Sequence, residues 1–283
     1  GMQFTFRAPD EAVCWSHRWT LLLAMILEHD PDIIGLQEVD MLEGDRKHKT
    51  PAHDKEIKRD LASAGYDGVL ARKYGRACDG VAVFWRRSRL RPEGSCKGLS
   101  LGSVHVALLQ PLILDDCWEL AAVATHLKAG LSKDAEDMRR KQGASLLQQL
   151  KGRADVLLLA DLNAHCRPWL DDAGRLVEPQ AHPLLASALW SAYEAVLGEE
   201  PDFTSWGGWA DRDVRGVFDY IFTRGALLAP VRALRPPASD DVLAVPERMP
   251  NAGHPTDHVP MVVDFLINAT SSEPPPASKR RRQ

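Results

Sequence analysis

The sequence predicts an α/β protein in which two β-sheets pack face to face and carry helices on their outer sides. Three observations predict it. Apolar runs of strand length alternate with stretches of helical spacing from Trp15 onward. Two long apolar runs, residues 104–114 and 118–127, meet at Asp115-Asp116 as the arms of a hairpin. Polar side chains cluster at the ends of the runs: Glu38 closes DIIGLQEVD, His126 closes ELAAVATHLKA, Asp161 and Asn163 close DVLLLADLNAH, Asp219 lies in VFDYIF, and Asp257 and His258 open PTDHVPMVVDF. A strand end is where a sheet presents polar groups to a cleft.

The elements follow in order. Residues 2–6, MQFTF, read as a short apolar strand. Residues 15–29 place Trp15, Trp19, Leu22, Leu23, Ile26 and Leu27 at helical spacing, and Asp30-Pro31 stops them. Residues 32–39 read as a buried strand. An amphipathic helix over 54–64 ends at Gly65, a C-terminal cap signal. Strands follow near 68–71 and 80–86, and then the hairpin. Residues 132–151 read as a helix capped by Ser132. Residues 155–160 are apolar enough for a strand covered on both faces. Residues 182–195 are helical or mixed, and 217–223, 226–234 and 259–267 are the last strands. We expect one domain over residues 1–268 and a disordered Ser/Pro-rich basic tail over 269–283, ending KRRRQ.

The 283 residues are 45% hydrophobic and 26% charged, the make-up of an ordinary globular protein. A net charge of −4 does not mark a nucleic-acid binder, so a phosphorylated substrate would need local cations at the cleft. The five cysteines are an odd number without metal-ligand spacing, which suits a reducing, intracellular and cytoplasmic setting. The basic run at 279–282 adds a nuclear-localisation reading. No stretch has the length of a membrane span and no signal peptide is visible, so no membrane association is expected. We expect a monomer.

Several carboxylates and two histidines converging from distant segments are what a divalent-metal phosphoester hydrolase needs. Each group also has a plain structural reading. A strand-end glutamate is often just solvated, Asp-Leu-Asn alone suits an Asx-turn, and a lone histidine is usually a satisfied structural one.

Six blocks resemble the endonuclease/exonuclease/phosphatase superfamily in its own order: DIIGLQEVD, DGVAVFW (79–85), THLKA (125–129), ADLNA (160–164), FDYIF (218–222) and TDHVPMVVDF (256–265). LQEVD, DGVAVFW and THLKA are most similar to its nocturnin and poly(A)-deadenylase branch, and Pro201-Asp202-Phe203-Thr204-Ser205-Trp206 resembles a further segment of it. The resemblance implies a four-layer α/β/β/α sandwich of two packed mixed sheets. It implies Mg²⁺, with Mn²⁺ as the alternative, held by Glu38 and by Asp257 directly or through water; Mg²⁺ takes hard oxygen donors and few protein ligands. Asp161 would orient or deprotonate the attacking water, and the Asn163 amide would donate to a phosphoryl oxygen. His258, with Asp219 behind it, would stabilise the developing charge as a cation. His126 and Lys128 would contact phosphate oxygens, and Lys73 or Arg72 would supply the basic residue before DGVAVFW.

The substrates implied are the 3′ poly(A) end of RNA and the 2′-phosphate of NADP(H), each an adenosine beside a phosphate. One departure stands out: Thr5 replaces the asparagine with which the family's first strand reaches the phosphate, and threonine has a shorter reach. Thr5 supports a second reading, a binding module that kept the fold without turnover. A DNA endonuclease on the same scaffold is a third.

Overall fold

The computed structural model of the chain describes residues 5–41 and 52–268. The expected tail and the first residues of the MQFTF strand lie outside them. Thr5 and Phe6 form no strand: Phe6 makes a single antiparallel bridge to Trp209 and stacks on its indole at 4.0 Å. A short helix α1 (Asp10–Val13) leads into α2 (Trp15–His29), which ends where Asp30 turns left-handed ahead of Pro31. Strand β1 (Ile33–Asp40) follows, then α3 (Asp54–Ser63), β2 (Tyr66–Arg72) and β3 (Asp79–Arg86). These strands form an antiparallel sheet in the order β1-β3-β2.

The second sheet starts with two short edge strands, β4 (Leu90–Pro92) and β5 (Lys97–Ser100), both against β6 (Val106–Leu114). Strand β7 (Trp118–His126) closes the expected hairpin. Its turn residues Asp115 and Asp116 both have positive φ, 48° and 57°, as a tight hairpin requires. Ser132 caps α4 (Lys133–Gln149) by accepting from the Ala135 amide, and β8 (Val156–Asp161) returns parallel to β7. A two-residue hairpin, β9 (Trp169–Leu170) with β10 (Leu176–Val177), precedes α5 (Ala181–Ala186). The mixed region ends with β11 (Trp190–Ser191) and α6 (Ala192–Leu197). A second hairpin, β12 (Ser205–Gly208) with β13 (Asp213–Gly216), leads into β14 (Asp219–Arg224), which pairs with β8. Strand β15 (Leu228–Ala233), α7 (Ser239–Leu243) and β16 (Val263–Ile267) complete the chain, with β15 and β16 antiparallel. The large sheet runs β11-β14-β8-β7-β6-β4 and is mixed through its β7–β8 pair.

Period-two alternation sorts the side chains into layers. On β3, Val81, Val83 and Trp85 face the large sheet and meet Leu108, Leu112, Ala122 and Ala124. Ala82 and Phe84 face outward and meet Trp19 of α2 and Ile57 and Leu61 of α3. On the far side, Leu109, Val123 and Leu158 meet Leu146 of α4 and Leu185 of α5. The result is helix, sheet, sheet, helix. Each fully buried leucine or phenylalanine in it contributes roughly 1.5–3 kcal/mol. At Gly35 the sheets come so close that a Cβ would lie 2.6 Å from Cβ of Leu159. Among the described residues no helix is long and apolar enough to cross a membrane.

Candidate active site

Three adjacent strands of the large sheet present one polar residue each at a shared level. His126 is the register partner of Asp161 across β7–β8, and Asp219 is the partner of Asp161 across β14–β8. Partners at one level point to the same face. That face also carries Leu157, Leu159 and Ile221, so all three groups turn away from α4 and toward the other sheet.

Glu38 approaches from the small sheet. The β1–β3 register slips between Leu36 and Val39, and Glu38 itself has a φ of 54°. A bulge of this kind re-aims a side chain at a functional edge. Glu38 Oε1 lies 3.9 Å from His126 Nε2, which is 3.6 Å from Asp161 Oδ2. The loop before β16 adds Asp257 and His258. The imidazole Nδ1 of His258 lies 2.7 Å from Asp219 Oδ2, and donor atoms of Asp161, Asp219 and His258 all fall within 4.8 Å of one another. Of the groups named from the sequence, Glu38, Lys73, Asp161, Asp219, Asp257 and His258 line one cleft of about 1040 Å³, while His126 and Asn163 lie just behind its wall, against Asp161.

The charges follow from this packing. Burial lowers the basicity of His258, but the Asp219 carboxylate and its hydrogen bond outweigh burial and hold the ring protonated well above its usual range. Asp161 is raised by burial, against the pull of His126. Its Oδ1 accepts from the backbone N–H of Asn163, whose φ of 51° shapes an Asx-turn. The Asn163 amide nitrogen donates one hydrogen to Leu127 O at 3.4 Å. Burial holds His126 neutral, with its pKa pushed down to about 4. Glu38 is pushed up to about 7, by crowding in the cleft and then by the Asp161 charge. Its side chain is 74% exposed, so the push comes from the cleft walls without sealing the group from water. Burial, and after it the Asp161 and Asp257 charges, raise Glu38, a strain that a cation would relieve; Glu38, Asp161 and Asp257 line one cleft and offer the oxygen donors a hard divalent ion takes.

The basic residues separate. Lys73 lines the cleft and donates to Asp79 Oδ2 at 2.5 Å and to His126 Nδ1 at 3.1 Å. Arg72 does not reach the cleft, a correction to its expected phosphate contact: its guanidinium donates to the carbonyls of Gly75 and Ala77. Adjacent residues on a strand point to opposite sides, so only one of the two could serve. Lys128 is likewise not on the cleft wall; it stands exposed beyond the end of β7, with its backbone N–H bound by Gln142 Oε1. Thr5 is exposed as well, and its carbonyl accepts from Ala210 N outside the cleft lining.

Sequence reasoning assigned no role to Thr204, although it lies in the recognised PDFTSW segment. Its buried hydroxyl donates to Asp219 Oδ2 at 2.7 Å and accepts from the backbone N–H groups of Phe218 and Asp219. It thus fixes the carboxylate that fixes His258. A buried ion pair does similar work for the loop after β7. Arg139, held by Glu136 at 2.7 Å, donates to the carbonyls of Lys128 and Gly130, while Glu136 accepts from the amides of Gln180 and Ala181.

Residues 6–258 match the model of the Endonuclease/Exonuclease/phosphatase family. Nocturnin of Drosophila melanogaster is 28% identical over 302 residues, covering 92% of this chain and 43% of the fly protein. Nocturnin of Homo sapiens is 28% identical over 294 residues, covering 94% of this chain and 61% of its own length. The chain thus spans between two fifths and about two thirds of the curated relatives it matches. The structure of the human Nocturnin catalytic domain with bound sulfate anion superposes with a TM-score of 0.69 at 25% identity, covering 91% of this chain and 89% of that one. ANGEL2, a 2′,3′-cyclic phosphatase, shares the fold with a TM-score of 0.71 at 19% identity, covering 92% and 89%. The chain belongs to the Endonuclease/Exonuclease/phosphatase family, and Nocturnin is among the members it is similar to.

Proposed function

We propose that this chain hydrolyses a phosphate ester on an adenosine-containing substrate, the 3′ poly(A) end of RNA or the 2′-phosphate of NADP(H), by in-line attack of water. The observation that carries the reading is the protonated His258–Asp219 pair set against Asp161, with donor atoms within 4.8 Å. The sulfate anion on the human Nocturnin domain supports a tetrahedral oxyanion as the bound group.

Asp161 Oδ1 is occupied by the Asn163 amide, which leaves Oδ2 to orient and deprotonate water. His258 holds its Nδ1 proton on Asp219 and directs its Nε2 N–H at the phosphorus-bound oxygens as charge builds. The second N–H of the Asn163 amide is available to the same oxygens. Glu38 and Asp257 would hold Mg²⁺ or Mn²⁺, which when bound polarises a phosphoryl oxygen. The unpaired cysteines suit a reducing, cytoplasmic setting.

The purified chain should release phosphate from NADPH or AMP from labelled oligo(A) with Mg²⁺, and Glu38→Ala should abolish either. No release from the parent chain with Mg²⁺ or Mn²⁺ would favour the binding-module reading, which the placement of Thr5 outside the cleft wall supports.

A further inference from the structure

Helix α4 buries three polar side chains on one face. Glu136, Arg139 and Gln142 recur every third residue, and each is fully enclosed. Apolar residues of similar size would serve stability there at least as well. Arg139 and Gln142 spend their hydrogen bonds on one short loop, the one that leaves β7 after His126. The Arg139 guanidinium donates to the carbonyls of Lys128 and Gly130 at 2.9 and 2.6 Å. Gln142 Oε1 accepts from the Lys128 N–H at 3.0 Å.

That N–H and the Leu127 carbonyl are the two ends of a single planar peptide unit. Gln142 holds one end. Asn163 holds the other, its Nδ2 donating to Leu127 O at 3.4 Å. Gln142, the rigid peptide and the Asn163 amide therefore form one hydrogen-bonded chain, and the members of such a chain polarise one another. Neighbouring bonds complete the frame. The Leu127 N–H donates to Asp161 O at 3.0 Å, and Arg139 grips the Lys128 carbonyl.

The last torsion of an asparagine is broad and roughly two-fold, so its amide turns end for end at little cost. A carbonyl oxygen accepts only from the nitrogen end. The direction of the Leu127 carbonyl thus decides which end of Asn163 lies beside it. It keeps the nitrogen there, with a second N–H to give.

We infer that Gln142 is a positioning residue for the hydrolysis, acting through the Leu127–Lys128 peptide on the Asn163 amide, with Arg139 as its support. The inference rests on the role of Asn163 proposed above. Without the Gln142 acceptor, the buried Lys128 N–H has to seek another partner. The peptide then tilts, and Asn163 no longer keeps its nitrogen toward the phosphoryl oxygens.

Product release by the full chain with Mg²⁺ is compared for the parent, Asn163→Ala, Gln142→Met and the double variant. Methionine keeps the length of the side chain and removes the strong acceptor. Asn163→Ala should lower kcat by about a hundredfold, and Gln142→Met by at least about tenfold with little change in KM. The double variant should match Asn163→Ala alone. Losses that multiply overturn the inference, because a merely structural role of Gln142 acts whether or not Asn163 is present. An unchanged kcat in Gln142→Met overturns it as well.

A second readout needs no turnover. In proton–nitrogen NMR the Asn163 side-chain amide, identified by its loss in Asn163→Ala, should move in Gln142→Met toward the position of a solvated amide. An unmoved resonance overturns the coupling. Absence of release from the parent rejects the hydrolase reading instead, and the resonance then decides the coupling by itself. Should Gln142→Met not fold, Gln142→Asn, whose acceptor stops one methylene short, should shift the same resonance and lower kcat in the same sense.

Discussion

The ammonium of Lys73 lies 3.1 Å from Nδ1 of His126, and this contact sets the tautomer of a neutral imidazole. An ammonium can only donate, so Nδ1 accepts and the ring proton sits on Nε2, aimed at Asp161 and Glu38. Lys73 thus acts through His126. Lys73→Met should lower kcat by about a hundredfold with little change in KM, and nitrogen NMR should show His126 populating both tautomers. A large rise in KM with kcat preserved would instead return Lys73 to a direct phosphate contact.

Asp219→Asn should move the basic limb of the pH–rate profile toward lower pH, because His258 loses the carboxylate that keeps it charged. The stability consequence has a defined sign. The folded-state basicity of His258 exceeds the ordinary histidine value of about 6.5, so the pair's contribution is complete below that pH. It is lost as pH rises through the folded value. The variant should therefore lose more stability at pH 6 than at pH 10, measured by urea unfolding.

His126 has the opposite sign. Its folded-state pKa of about 4 lies below the unfolded value, so the folded state resists a proton that the unfolded chain accepts. Metal-free protein should lose about 3 kcal/mol of stability from this group as pH falls from 6.5 to 4. His126→Gln should flatten that part of the stability profile. An unchanged slope would show that the ring is already solvated.

Gly35→Ala should destabilise the fold by roughly 1–3 kcal/mol, because the new methyl would sit 2.6 Å from Leu159 Cβ, where the sheets meet. Leu159→Ala in the same chain should recover part of the loss. Additive losses in the double variant would show that the two positions do not compete for space.

The parts of the fold legible in the sequence were those that carry their own periodicity. The β6–β7 hairpin has two long apolar arms around Asp115-Asp116, and β8 is a run apolar enough to be covered on both sides. Glu38, Asp161 and His258 could be singled out because each closes or opens such a run, and Asp219 because it interrupts one. Strands β9, β10, β12 and β13 were not, since each is two to four residues long and too short to show a period. The choice between Arg72 and Lys73 depends on the phase of β2 against β3, which composition does not encode. The work of Thr204 needs the fold: fifteen positions separate it from the carboxylate it holds.

The common level of His126, Asp161 and Asp219 restricts how this gene can change over generations. Losing one codon inside β7, β8 or β14 would send that strand's reactive group to the helix-covered side and bring a greasy neighbour forward. Lineages descended from this protein should therefore vary in length at the connecting loops and differ within these three strands by replacement alone.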